Sequence, residues 1–174
     1  MTKRLGYEKS FDTAKQSQHL QGDPIPDVQE RPRFDADKPG PYYFKTEFAG
    51  GKLSGLTLPG LYIHRSDIRK TTFAGSDLHL STICWNDFAD CDFGDVDLSR
   101  SDLRASNFSK CSFKGANLEG CDLRHSTFES CSFDGARLKG ALLTRGQQKK
   151  LPLSPEQVEL IDWQLMGGAF PDGG

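Results

Sequence analysis

A large apolar residue recurs at every fifth position from Phe48 to Leu143, with no gap and no change of register. A helix repeats at 3.6 residues and a strand at 2, so neither explains the pattern. A chain that turns a corner every five residues does. A second period supports four corners per coil, because the centres sort when read twenty apart. Phe48, Ile68, Phe88, Phe108 and Phe128 form one series, and Leu53, Phe73, Phe93, Phe113 and Phe133 the next. Leu58, Leu78, Leu98, Leu118 and Leu138 form the third, and Ile63, Ile83, Leu103, Leu123 and Leu143 the fourth. Phenylalanine keeps to two adjacent series, which has a reason only if residues twenty apart stack.

The residue two before each centre is mostly small from Ser66 onward, and the residue between is often Asp or Asn. The centre and the small residue are expected to point inward, and the other three outward. Glycine two after the centre, as at Gly55, Gly75, Gly115 and Gly135, suits a turn that needs positive φ. The expectation is an all-β, right-handed quadrilateral parallel β-helix of about five coils, roughly 24 Å tall at β-ladder spacing, with a short C-terminal α-helix. Leu56 and Leu61 are large for their small slots and predict a less regular first coil.

The segments SDLRA, SNFSK, ANLEG and CDLRH resemble the A(D/N)LXX signature of the pentapeptide-repeat family. The resemblance extends over residues 46 to 145 and implies a solenoid that binds other macromolecules. Some members, including Qnr-type quinolone-resistance proteins, act as DNA mimics toward type II topoisomerases. That role needs a continuous acidic face. Here acids and bases nearly balance, and the register never breaks to admit a projecting loop.

Three regions follow. Residues 1–40 read as a polar tail or irregular wrap, with Pro24, Pro26, Pro32 and Pro39, and residues 41–148 as the β-helix. Residues 149–174 read as a capping or dimerisation helix and tail. Ser154, Pro155 and Gln157 spell a capping box with proline at the first helical position. Val158, Ile161 and Leu165 then form a helical stripe beside Trp163, expected to end at Gly167 and Gly168 and to cover the last coil or join a homodimer.

The 174-residue chain has a formal charge of −2, so a dedicated nucleic-acid binder is not expected. No apolar run is long enough for a membrane helix, and the N-terminus lacks a signal-peptide apolar region. Five cysteines suit a reducing compartment, so a cytoplasmic protein is expected, with a secreted bacterial effector as another reading.

No catalytic or metal-binding fingerprint is present, and neither enzyme activity nor a cofactor is expected. Cys91, Cys111 and Cys131 stack as a column that reads as small buried residues. Cys84 and His64, one coil apart at outward positions, pose the question of a nucleophile and base. The Asp-rich coil from Asp87 to Asp102 reads as repeat grammar. The most unusual outward feature is a column with Arg65, Trp85, Arg104 and Arg124, with Leu80 one corner away. An exposed Trp flanked by Arg has the composition of an interface hot spot. The functional expectation is a protein-interaction scaffold using this column toward an acidic protein partner, with a homodimer through Val158, Ile161, Trp163 and Leu165.

Overall fold

The computed structural model describes residues 42–165. The expected polar tail, and the expected helix end at Gly167 and Gly168, lie outside the described residues. The chain winds into a parallel β-solenoid of four faces. Its named strands are β1 (Tyr42–Phe44), β2 (Glu47–Ala49), β3 (Tyr62–His64), β4 (Asp67–Arg69), β5 (Thr82–Cys84) and β6 (Asp87–Ala89). They continue with β7 (Asn107–Ser109), β8 (Thr127–Glu129), β9 (Leu142–Thr144) and, after helix α1 (Pro155–Leu160), β10 (Asp162–Gln164). Each strand pairs with its equivalent twenty residues away, as Ile63 with Ile83 and Phe88 with Phe108. The other two faces are carried by single bridges in the same register, such as Thr72 with Asp92 and Asp77 with Asp97.

The rod has about 6 turns rather than the expected five or so. β1 adds a layer ahead of Phe48, and β10 lays Trp163 on Leu143 after the repeat has ended.

The centres fill the interior. Leu78, Leu98, Leu103, Phe113 and Leu118 are wholly inaccessible to solvent. The phenylalanines form two ladders. Rings stack within each, as Phe73 on Phe93 at 4.9 Å and Phe88 on Phe108 at 5.0 Å. Between ladders they meet edge to face, as Phe88 with Phe93 at 5.4 Å. Both geometries are favoured by the ring quadrupole, each contact adding about 0.5–1.5 kcal/mol beyond burial. The first coil is looser, as expected: Leu56 is exposed, whereas Leu61 is fully buried. The Phe48 ring lies over the α-carbon of Gly51, where any Cβ would collide with it.

The small inward slots do more than save space. Where the chain turns widely, the slot N–H lacks the tight-turn partner three residues back. The slot side chain twenty residues on accepts it instead: Asn86 N donates to Ser106 Oγ at 3.1 Å, and Ser106 N to Ser126 Oγ at 3.1 Å. The same hydroxyl donates to the carbonyl 23 residues back, as Ser106 Oγ to Ile83 O at 3.0 Å. The Cys91, Cys111 and Cys131 thiols make the corresponding contacts to Ile68, Phe88 and Phe108 carbonyls. Val96, Ala116 and Ala136 sit at tight turns, where the slot N–H is already donated to Phe93, Phe113 and Phe133. A buried slot N–H thus finds its acceptor either within a tight turn or in the polar slot one coil on, and a tight turn admits Val or Ala without requiring them, since Ser76, Ser101 and Cys121 also stand at tight turns.

Candidate recognition corner

On the face begun by β1, the first residue after each centre is Phe44, His64, Cys84, Arg104 or Arg124. The second turns the corner with positive φ: Lys45 (51°), Arg65 (51°), Trp85 (63°), Ala105 (53°) and His125 (63°). Leu80 turns the preceding corner at φ 59°, in a column shared with Gly60 (71°), Gly120 (66°) and Gly140 (68°). Left-handed backbone costs a side-chain-bearing residue roughly 1–2 kcal/mol relative to right-handed backbone. Leu80 is nonetheless 52% exposed, so its side chain recovers little by burial. Trp85 is half-buried beside it. Glycine elsewhere in the Leu80 column shows that the turn itself does not require a leucine there.

Arg104 and Arg124 do not extend a basic stripe, contrary to expectation. Arg104 Nε and Nη2 donate to Asp102 Oδ1 and Oδ2 at 2.9 and 2.7 Å, and Arg124 grips Asp122 in the same way. Arg104 Nε also lies 3.6 Å from Asp122 Oδ2, so the four groups form a continuous ladder. Hydrogen bonding to these carboxylates raises the pKa of both arginines. The ladder is charge-compensated, and its attraction for an acidic surface is correspondingly weak.

The aspartates owe their place to the backbone. Asp92 Oδ1 accepts from Gly94 N, Asp97 Oδ1 from Ser99 N and Asp102 Oδ1 from Arg104 N, at 2.9–3.0 Å. Each side chain caps its own turn, as Asp and Asn do in Asx motifs. The Asp-rich coil is thus spread over separate faces. Among the described residues no group of His, Cys, Asp or Glu could hold a metal ion, and no helix is long and apolar enough to cross a membrane.

His64 and Cys84 were expected to face outward, but both are buried. The His64 ring stacks on Phe44 at 5.9 Å and on Tyr62 at 5.8 Å. Burial, then the neighbouring Arg65 charge, lowers its pKa to about 4. Burial drives the Cys84 thiol well above its ordinary value. A neutral imidazole beside a thiol held in its protonated form is a poor nucleophile–base pair. His64 Nδ1 is buried without a hydrogen-bond partner.

At the C-terminal end the capping box forms as expected, with Ser154 accepting from Gln157 N and Gln157 reaching back to Ser154 N. The helix stops at Leu160, so the stripe through Ile161, Trp163 and Leu165 does not exist. The fivefold spacing continues instead, through Leu153, Val158 and Trp163. β10 pairs with β9 and outcompetes further helix because it satisfies the open edge of the last coil. Ile161 is buried against the core, and the Trp163 indole donates to Val158 O at 2.9 Å. Val158 is half-buried. Leu160 and Leu165 are the exposed apolar residues here.

Residues 87–124 and 106–145 match the model of the pentapeptide repeats, in 8 copies. No curated protein matches the chain by sequence. Among solved structures the chain is similar to HetL from Nostoc, a pentapeptide repeat protein involved in heterocyst differentiation regulation. The identity is 19% and the TM-score 0.54, over 56% of this chain and 47% of HetL, so the chain spans about half of that protein and shares its fold. A pentapeptide repeat protein of the Arabidopsis thaliana thylakoid lumen is 26% identical with a TM-score of 0.43, over 74% of this chain and 79% of that one. QnrB1, a plasmid-mediated fluoroquinolone resistance protein, is 18% identical with a TM-score of 0.40, over 56% of this chain and 57% of that one.

Proposed function

We propose that this chain, whose residues 87–124 and 106–145 match the pentapeptide-repeat model, is a non-catalytic protein-binding rod whose recognition surface is the corner carrying Leu80 and Trp85. The observation that carries this reading is the pair of bulky side chains held in left-handed backbone where the same columns elsewhere use Gly, Ala or a charged residue. A tolerated local cost at exposed Leu80 and half-buried Trp85 supports a benefit outside the fold. The interior supports the non-catalytic part, being packed with Leu and Phe instead of shaped as a cleft.

Arg65 belongs to this surface. Arg104 and Arg124 border it, engaged with Asp102 and Asp122, so the partner is recognised mainly through apolar anchors and not through a cationic stripe. The DNA-mimic reading gains no support, since Asp67, Asp102 and Asp122 are each neutralised by an arginine on their own strand or turn. Affinity capture from lysate with wild-type and Trp85→Ala rods tests the proposal. A specific partner should be lost about tenfold with the melting temperature nearly unchanged. A destabilised variant that captures as well as wild type overturns it.

A homodimer through the C-terminal end is a second proposal. It rests on the exposure of Leu160 and Leu165, because Ile161 and Trp163 are committed to the cap.

A further inference from the structure

The corner lined by Lys45, Arg65, Trp85, Ala105 and His125 is shielded in a way its counterparts are not. Those five are half-buried. On the next corner Lys70, Asp90, Lys110 and Ser130 are exposed, and so are Leu80 and Arg100 on the preceding one. At the outward position beside it, His64 and Cys84 are 6% and 7% exposed, more deeply buried than Arg104 and Arg124 further along the same face, which are half-buried. His64 Nδ1, beside this patch, is a buried polar atom with no hydrogen-bond partner among the described residues.

We propose that residues 1–41, the N-terminal part of the chain outside the described residues, dock along this corner in cis. The chain enters the rod at Tyr42, the first residue of β1, which is the first layer of this same face. The tether therefore holds the segment at high effective concentration. The corner column from Lys45 to Arg145 contains no carboxylate, and Lys45, Arg65 and Arg145 are cationic. Residues 1–41 carry seven acids and seven bases, and it is the part nearest the rod that complements the column, with Asp23, Asp27, Glu30, Asp35 and Asp37 against Arg31, Arg33 and Lys38 over residues 23–38. Ile25, Val28 and Phe34 supply apolar anchors between the acids. The column is about 24 Å long at ladder spacing, which roughly eight extended residues span. This docking is independent of the recognition reading proposed above, although both use the same corner.

The full chain with a photoreactive benzoylphenylalanine in place of Ala105 tests this without any partner. A mixture of isotopically heavy and light protein separates contacts within a molecule from contacts between copies. The expected result is crosslinking to residues 1–41 of the same molecule. Replacing the five acids (Asp23→Asn, Asp27→Asn, Glu30→Gln, Asp35→Asn, Asp37→Asn) should cut its yield about tenfold and quicken alkylation of Cys84, with the melting profile of the rod retained. Crosslinks that reach only a second copy, or none to residues 1–41, overturn the proposal, as does a yield indifferent to the five replacements. Crosslinking in cis together with capture indifferent to Trp85→Ala would sink the recognition reading and leave the docking intact.

Discussion

The side-chain amide of Gln147 donates to the carbonyls of Leu123 and Ser126 at 2.9 and 2.8 Å, which one more coil would meet with a slot side chain and with the backbone N–H after the slot. Gln157 does the same for Phe133 and Ala136 at 2.8 and 2.9 Å. In the body of the rod the carbonyl 23 residues back is met by a hydroxyl or thiol. At the end, positions 146 and 156 hold Gly and Glu, and the adjacent glutamine reaches in. Replacing Gln147 or Gln157 with Leu should destabilise the protein by about 1–3 kcal/mol each, since the Ser126 or Ala136 carbonyl loses its donor while Leu123 and Phe133 keep only their tight-turn N–H. Urea unfolding measures it; a pair of silent variants would mean that these amides do not cap the rod.

The polar slots give a contrast between neighbours. Cys111→Ala should cost about 1–2 kcal/mol by stranding a wide-turn N–H and the Phe88 carbonyl, whereas Cys111→Ser should be well tolerated. Ala116→Ser, at a tight turn whose N–H already bonds Phe113, should bring no gain. Chemical denaturation of the three variants decides it. Equal behaviour of the Ala and Ser variants at position 111 would show that the thiol acts by volume alone.

Acid should weaken the rod through His64. Burial holds its folded pKa at about 4, below the ordinary histidine value of 6.5. Below pH 6.5 the unfolded chain takes up a proton that the folded chain refuses. The stability held above pH 6.5 is therefore lost as pH falls toward 4, by up to about 3 kcal/mol. His64→Phe, which keeps a ring between Phe44 and Tyr62, should flatten this dependence. Unfolding free energies at about pH 7 and about pH 4.5 test it, and an equal slope in both proteins would assign the acid sensitivity elsewhere.

The interior should tolerate no charge. Phe108→Asp would break two stacked and two edge contacts and bury an unpaired carboxylate, so loss of the cooperative melt is expected. A folded variant would refute the register.

If the C-terminal ends pair, Leu160→Asp with Leu165→Asp should convert dimer to monomer without loss of the fold. Light scattering across a concentration series reads this directly. Truncation after Lys150 is the weaker test, because it removes β10 and Gln157 and damages the rod itself.

The inward register was fully legible from Phe48 to Leu143, because each centre answers to one local rule. The hydrogen-bonding role of Ser106 or Cys111 was not, since its partners lie 20 and 23 residues away and only the turn type shows why Ala116 differs. Helix α1 was readable from Ser154 to Gln157, a local motif. Its early end was hidden, because the open edge of β9 decides it. The recognition corner was half legible. Trp85 and Leu80 stood out as bulky residues at turn positions, but the pairing of Arg104 with Asp102 needed the geometry of the strand.

The coil-to-coil hydrogen bonds run parallel to the rod axis, and each coil touches only its neighbours. Such a body is mechanically anisotropic. Tension along the axis opens one coil at a time, as a zipper, beginning at whichever end is less well closed. Force applied across the axis loads many rungs together and meets far greater resistance. A partner held at the Trp85 corner would pull sideways, in the direction where this molecule is stiff.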